Sequence, residues 1–105
     1  MKKLKTLMVS TVLLCGIGAS NSVLANPQLA KQYKCLECHV LYKKVIGPSI
    51  RDIAQKYKGD PGAMSRLVDR VRSGSVGAWG TTPMQGHPDM PQKDIEAVLK
   101  WMLDR

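Results

Sequence analysis

Apolar positions in this chain fall into three regular stripes and one irregular gap. Ile50, Ile53, Ala54 and Tyr57 recur at helical spacing between Pro48-Ser49 and Gly59. Met64, Leu67, Val68 and Val71 do the same between Asp60-Pro61 and Gly74, with Asp60 as expected N-cap and Pro61 at the first helical position. Ile95, Val98, Leu99 and Met102 form a third stripe, from about Gln92 to Leu103. A helix ahead of these starts at Asn26-Pro27 and turns Leu29, Tyr33 and Leu36 to one side. No stretch sustains the alternation of a half-buried strand, so the fold class expected is all-α, with about four helices. Between the last two helices, Ser75 to Pro91 has no helical period, and it holds Gly77, Trp79, Gly80, Met84, His87 and Met90. An ordered loop of this length in so small a domain is usually functional.

The first 25 residues follow different rules. Lys2, Lys3 and Lys5 precede an almost wholly apolar run from Leu7 to Ile17, and Val23-Leu24-Ala25 suits a cleavage point. Residues 1–25 therefore read as a secretory signal peptide, too short in its apolar part for a comfortable membrane span. Cys15 belongs to that segment and would leave with it. Leu14 is bulky where a lipoprotein signal wants a small residue. Cleavage after Ala25 leaves 105 − 25 = 80 residues for one domain, residues 26–105. A domain of that size struggles to build a core unaided, and this one has no Phe and only five Trp and Tyr residues. A large flat cofactor would supply the missing apolar body.

Charge narrows the partners. With the three leader lysines removed, the domain carries 13 basic and 8 acidic residues, a net +5. That balance suits nucleic acid, an anionic membrane or an acidic protein. No aromatic-basic interleaving or nucleic-acid fold signature accompanies it, which leaves an acidic protein partner as the better reading. Lys31, Lys34, Lys43, Lys44, Arg51, Lys56 and Lys58 are the candidates for such a docking surface.

The chemistry is concentrated in Cys35-Leu36-Glu37-Cys38-His39. Two thiols at this spacing can each add to one vinyl group of a single haem, and the histidine that follows is held beneath the iron. Three alternatives compete. A thioredoxin-like redox pair needs a strand-to-helix junction, for which there is no strand. A zinc site would recruit Cys35, Cys38, His39 and His87, but adjacent Cys38 and His39 fit poorly as paired ligands. A disulfide leaves His39 unexplained. Covalent haem explains all three residues. On the iron's other face a thioether is a soft ligand that raises the reduction potential. Met64 and Met102 lie within helical stripes and read as core packing, so Met84 and Met90 are the candidates on chemistry alone.

The order of these features resembles the small bacterial class I monohaem cytochromes c of the cytochrome c-551 type, over essentially all of residues 26–105. The resemblance rests on Cys35-x-x-Cys38-His39, on Gly47-Pro48 shortly after it, on Trp79-Gly80-Thr81-Thr82-Pro83-Met84, and on the C-terminal helix. It implies a class I fold around one haem c, thioether links at Cys35 and Cys38, and axial ligands His39 and Met84, with Met90 not a ligand. It implies too that the Pro48 carbonyl accepts from the His39 ring and that Trp79 directs its indole N–H at a haem propionate. The chain departs from the family just after Met84. Gln85-Gly86-His87-Pro88 stands where Pro-Pro-Asn is common, so Gln85 or His87 would have to replace the contact that Asn makes to the sulfur.

The function this implies is a periplasmic, monomeric electron carrier between respiratory complexes and a terminal reductase, oxidase or peroxidase. No enzyme constellation accompanies the haem motif: there is no carboxylate pair in a plausible cleft, no nucleophile-base set and no phosphate-binding loop. Two other classes would use the same motif, namely a haem protein with an open iron position that binds small ligands or turns over peroxide, and a haem subunit of a larger enzyme.

Overall fold

The computed structural model describes residues 27–105, together with Gly16 and Gly18. Apart from Gly16 and Gly18, the expected signal peptide lies outside the described residues, as do its cleavage point and Asn26 at the expected helix start. Five helices and one hairpin follow in order: α1 Pro27–Gln32, α2 Cys35–Cys38, α3 Ile50–Lys56, α4 Ala63–Ser73, β1 Ser75–Gly77, β2 Gly80–Met84 and α5 Gln92–Leu103. Among the described residues no helix is long and apolar enough to cross a membrane.

α5 organises the core by packing against α1, α3 and α4. Its stripe is buried as the spacing predicts, Ile95 completely, and Ile50 of α3 and Ala30 of α1 are equally enclosed. α3 begins where the sequence places it. Ser49 is 1% exposed, and its hydroxyl accepts from the Asp52 amide at 3.0 Å, closing one of the free N–H groups of the first turn.

The remaining boundaries differ from expectation for local reasons. The first helix is broken around Lys34, whose φ of 61° is left-handed: α1 ends at Gln32, Tyr33 falls in the turn, and Leu36 belongs to α2. α4 starts at Ala63 because Asp60 spends its side chain on a turn: its Oδ1 accepts from Gly62 N–H at 2.9 Å, and its carbonyl from Ala63 N–H at 3.2 Å. The frame is thus mainly helical, as expected, with one addition. The start of the long loop folds into an antiparallel hairpin that pairs Ser75 with Met84 and Gly77 with Gly80 around a bulge.

Candidate haem site

α2 carries Cys35 and Cys38 as free thiols, both partly accessible. Burial pushes the Cys35 thiol above its usual pKa range, with the neighbouring Cys38 adding to the effect and a backbone hydrogen bond opposing it. A redox-exchange pair wants a lowered thiol pKa on its attacking cysteine, so this environment speaks against that reading. Among the described residues no three His, Cys, Asp or Glu side chains converge to hold a metal ion, which leaves the zinc set of Cys35, Cys38, His39 and His87 unassembled.

His39 ends α2 in extended conformation, its amide still bonded to the Cys35 carbonyl at 2.9 Å. The chain then loops out and returns. Gly47 N–H donates to the Cys38 carbonyl at 2.8 Å, and Ile50 N–H to the Val40 carbonyl at 2.9 Å. This return brings Pro48 beneath the imidazole, where its carbonyl lies 2.8 Å from His39 Nδ1. Nδ1–H donates there, which fixes the tautomer and leaves Nε2 as the free donor pair. Glycine leaves the ring its room: a Cβ on Gly47 would meet His39 Cε1 at 2.6 Å and Nδ1 at 2.8 Å unless the imidazole tilted away.

Cys35, Cys38 and His39 open onto a cleft of about 710 Å³ that Pro48, Trp79 and Met84 also line. Ile53, Leu67, Val98 and Leu99 give it an apolar floor. The structure thus gathers every sequence-proposed site residue around one cavity of cofactor size. The two loop methionines separate. Met90 is 4% exposed and packs within the core, although it reaches the cleft wall, whereas Met84 is half-buried at the end of β2.

Three features were not anticipated. Lys56 reaches from α3 to the hairpin tip, donating to the Ala78 carbonyl at 2.8 Å with its ammonium 4.3 Å from the Trp79 ring centroid. Arg70, on the cleft wall, donates to the Tyr57 hydroxyl at 2.7 Å. Gly74 and Gly86 pack against each other: a Cβ on Gly86 would lie 2.7 Å from the Ser73 carbonyl carbon, and one on Gly74 would lie 2.8 Å from the Met84 oxygen. Sequence offered a signal for the hairpin alone. Gly77-Ala78-Trp79-Gly80, flanked by Val76 and Thr81-Thr82, has the residues of a turn between short strands.

Residues 25–105 match the family model for cytochrome c. Cytochrome c-551 of Allochromatium vinosum is 42% identical over 82 residues, covering 78% of this chain and 87% of that protein. Cytochrome c-552 of Hydrogenobacter thermophilus is 40% identical over 101 residues, covering 94% and 95%. The crystal structure of Nitrosomonas europaea cytochrome c552 superposes with a TM-score of 0.72 at 35% identity, covering 75% of this chain and 98% of that one. The chain therefore belongs to the cytochrome c family, as a small class I monohaem member that binds one haem c, in a family of electron carriers.

Proposed function

We propose that this protein is a soluble periplasmic electron carrier whose haem is bound through Cys35 and Cys38 and ligated by His39 and Met84. The observation that carries the reading is the His39 imidazole, tethered to the Pro48 carbonyl at 2.8 Å inside the cleft that Met84 also lines. The haem supplies a one-electron couple. The chain's own part would be to hold the iron between His39 and Met84, so that no site would be left for substrate and little would have to move as charge changes.

Each residue has a definable task. The Pro48 carbonyl orients His39 and makes it a better donor. The Met84 thioether favours the reduced state and places the potential in the higher part of the roughly 0.8 V that axial ligation can span. Trp79, steadied by Lys56, would direct its indole N–H to a propionate. Ile46 and Val76 line the cleft yet are 58% and 67% exposed, which suits the apolar centre of a transient contact. Lys34 and Lys44 lie on the cleft wall, and with Lys56 they are placed to steer an acidic redox partner. Lys31, Lys43, Arg51 and Lys58 are exposed elsewhere and add to the long-range field. The partners fitting this chemistry are a respiratory donor and a terminal reductase, oxidase or peroxidase, met by the protein as a monomer.

Absorption spectra of the exported protein test the reading. Haem should resist acid–acetone extraction, and the weak far-red band of sulfur bound to ferric iron should be present in the parent and absent in Met84→Ala. Extractable haem would sink the covalent assignment. A parent that lacks the band and takes up carbon monoxide freely would point instead to a ligand-binding or peroxide-consuming protein.

A further inference from the structure

His87 is the only histidine besides His39, and the function proposed above leaves it idle. It lines the same cleft, three residues beyond Met84. Its main chain is pinned on both sides: the amide donates to the Val71 carbonyl at 2.7 Å, and its carbonyl accepts from the Met90 amide at 3.2 Å. Gly86 just before it is packed tightly on the end of α4. The imidazole is therefore delivered to the cleft wall rather than left on a free loop. The residue is half-buried, and among the described residues no hydrogen bond or ion pair engages its ring.

We propose that His87 is a latent distal ligand, held ready to bind the iron whenever the Met84 thioether lets go. The inference rests on the His39/Met84 reading. Imidazole is the commonest protein ligand for a metal, and this ring need break no existing bond to move. The competing groups on the cleft wall are worse placed. Met90 and Met102 are 4% and 5% exposed and locked in the core, where withdrawing a side chain opens a cavity. The Lys34 and Lys44 amines would have to give up a proton before binding. A protein that loses its Met84 bond then stays six-coordinate with two imidazoles at a lower potential, and does not become an open site for peroxide or carbon monoxide.

The test uses the exported holoprotein in four forms: parent, Met84→Ala, His87→Ala and the double variant. His87→Ala alone should keep the sulfur–iron band. Met84→Ala should lose it but remain low-spin, with the electron-paramagnetic-resonance signature of two imidazoles. The double variant should turn high-spin and bind carbon monoxide about tenfold more tightly than Met84→Ala, the ratio expected if His87 leaves the position open about a tenth of the time. Should Met84→Ala and the double variant be indistinguishable, the latent ligand is refuted. Should Met84→Ala match the parent, the His/Met reading falls and this inference falls with it. If Met84→Ala fails to fold, folded parent and folded His87→Ala treated with hydrogen peroxide replace it. One oxygen atom passes to the Met84 sulfur, a two-electron oxidation that leaves water, and mass spectrometry locates it. Only the oxidised His87→Ala protein should then admit carbon monoxide; equal uptake by both would refute the proposal.

Discussion

From Cys35 to Pro48, the His39 ring is fixed by close covalent neighbours and by one short hydrogen bond, Nδ1–H to the Pro48 carbonyl. From Ser75 to Pro91, Met84 has no such bond to its side chain. Its place depends on backbone packing: the hairpin that pairs it with Ser75, and the contact of Gly74 with Gly86. A side chain held by a hydrogen bond can tilt and recover. A backbone wedged against another backbone cannot. The two segments should therefore fail differently when a single methyl group is added to each.

Gly86→Ala should do the greater damage. Its new Cβ would lie 2.7 Å from Ser73 C, 2.8 Å from Arg72 O and 2.8 Å from Gly74 N, all main-chain atoms. The cost falls in the upper part of the ~1–3 kcal/mol range for overpacking, and the shift carries Met84 with it. The expected outcome is a weakened far-red sulfur–iron band and a lower reduction potential, with haem still covalently attached. An unchanged band would show that Met84 is held by something other than this contact.

Gly47→Ala should be milder. Its Cβ meets the imidazole at 2.6 and 2.8 Å and the Cys38 oxygen at 3.1 Å, and the ring can tilt at the expense of its bond to Pro48. About 1 kcal/mol of stability should go, together with some donor strength at Nε2. Proton NMR of the His39 ring should register the tilt while the Met84 signals stay put. Simultaneous loss of both ligand signatures would mean that the two segments are not independent.

Lys56→Ala sharpens the comparison on the distal side. Removing the bond to the Ala78 carbonyl and the ammonium over Trp79 should cost about 0.5–1 kcal/mol, since both are exposed. Hydrogen exchange should quicken in the hairpin amides and leave α2 and α3 unaffected.

The same asymmetry governed what could be read from the chain. Cys35, Cys38 and His39 lie within five positions, and the geometry that double attachment would demand constrains them, so chemistry alone singled out that segment as the candidate. The helical stripes were legible because each buries one face, and Ile50, Leu67 and Ile95 lie where the spacing puts them. Met84 could not be separated from Met90 by residue type, since both sulfurs suit iron; the separation came from family resemblance, and in the structure it is a difference in burial. The Gly74–Gly86 contact joins residues that neither period nor motif connects. The break at Lys34 carries no Gly or Pro to announce it.

The smallest effect concerns the proximal segment's tie to the core. Tyr33, just ahead of that break, donates its hydroxyl to Asp94 Oδ2 at 2.7 Å, fastening the haem-motif segment to α5. That hydrogen bond, then burial, then the carboxylate's charge raise the tyrosine pKa above its usual 10.0. A folded-state pKa raised over the unfolded one means that the native state holds its proton more firmly. The linked stabilisation is complete below the unfolded value, and it fades as pH climbs through the folded one. Tyr33→Phe should therefore lower stability slightly at neutral pH and flatten the alkaline limb of the stability curve. Denaturant titrations of both proteins from pH 7 to beyond pH 10 would show the curves converging as the tyrosine ionises. Parallel curves over that window would mean that the Asp94 contact contributes nothing to holding the haem segment against α5.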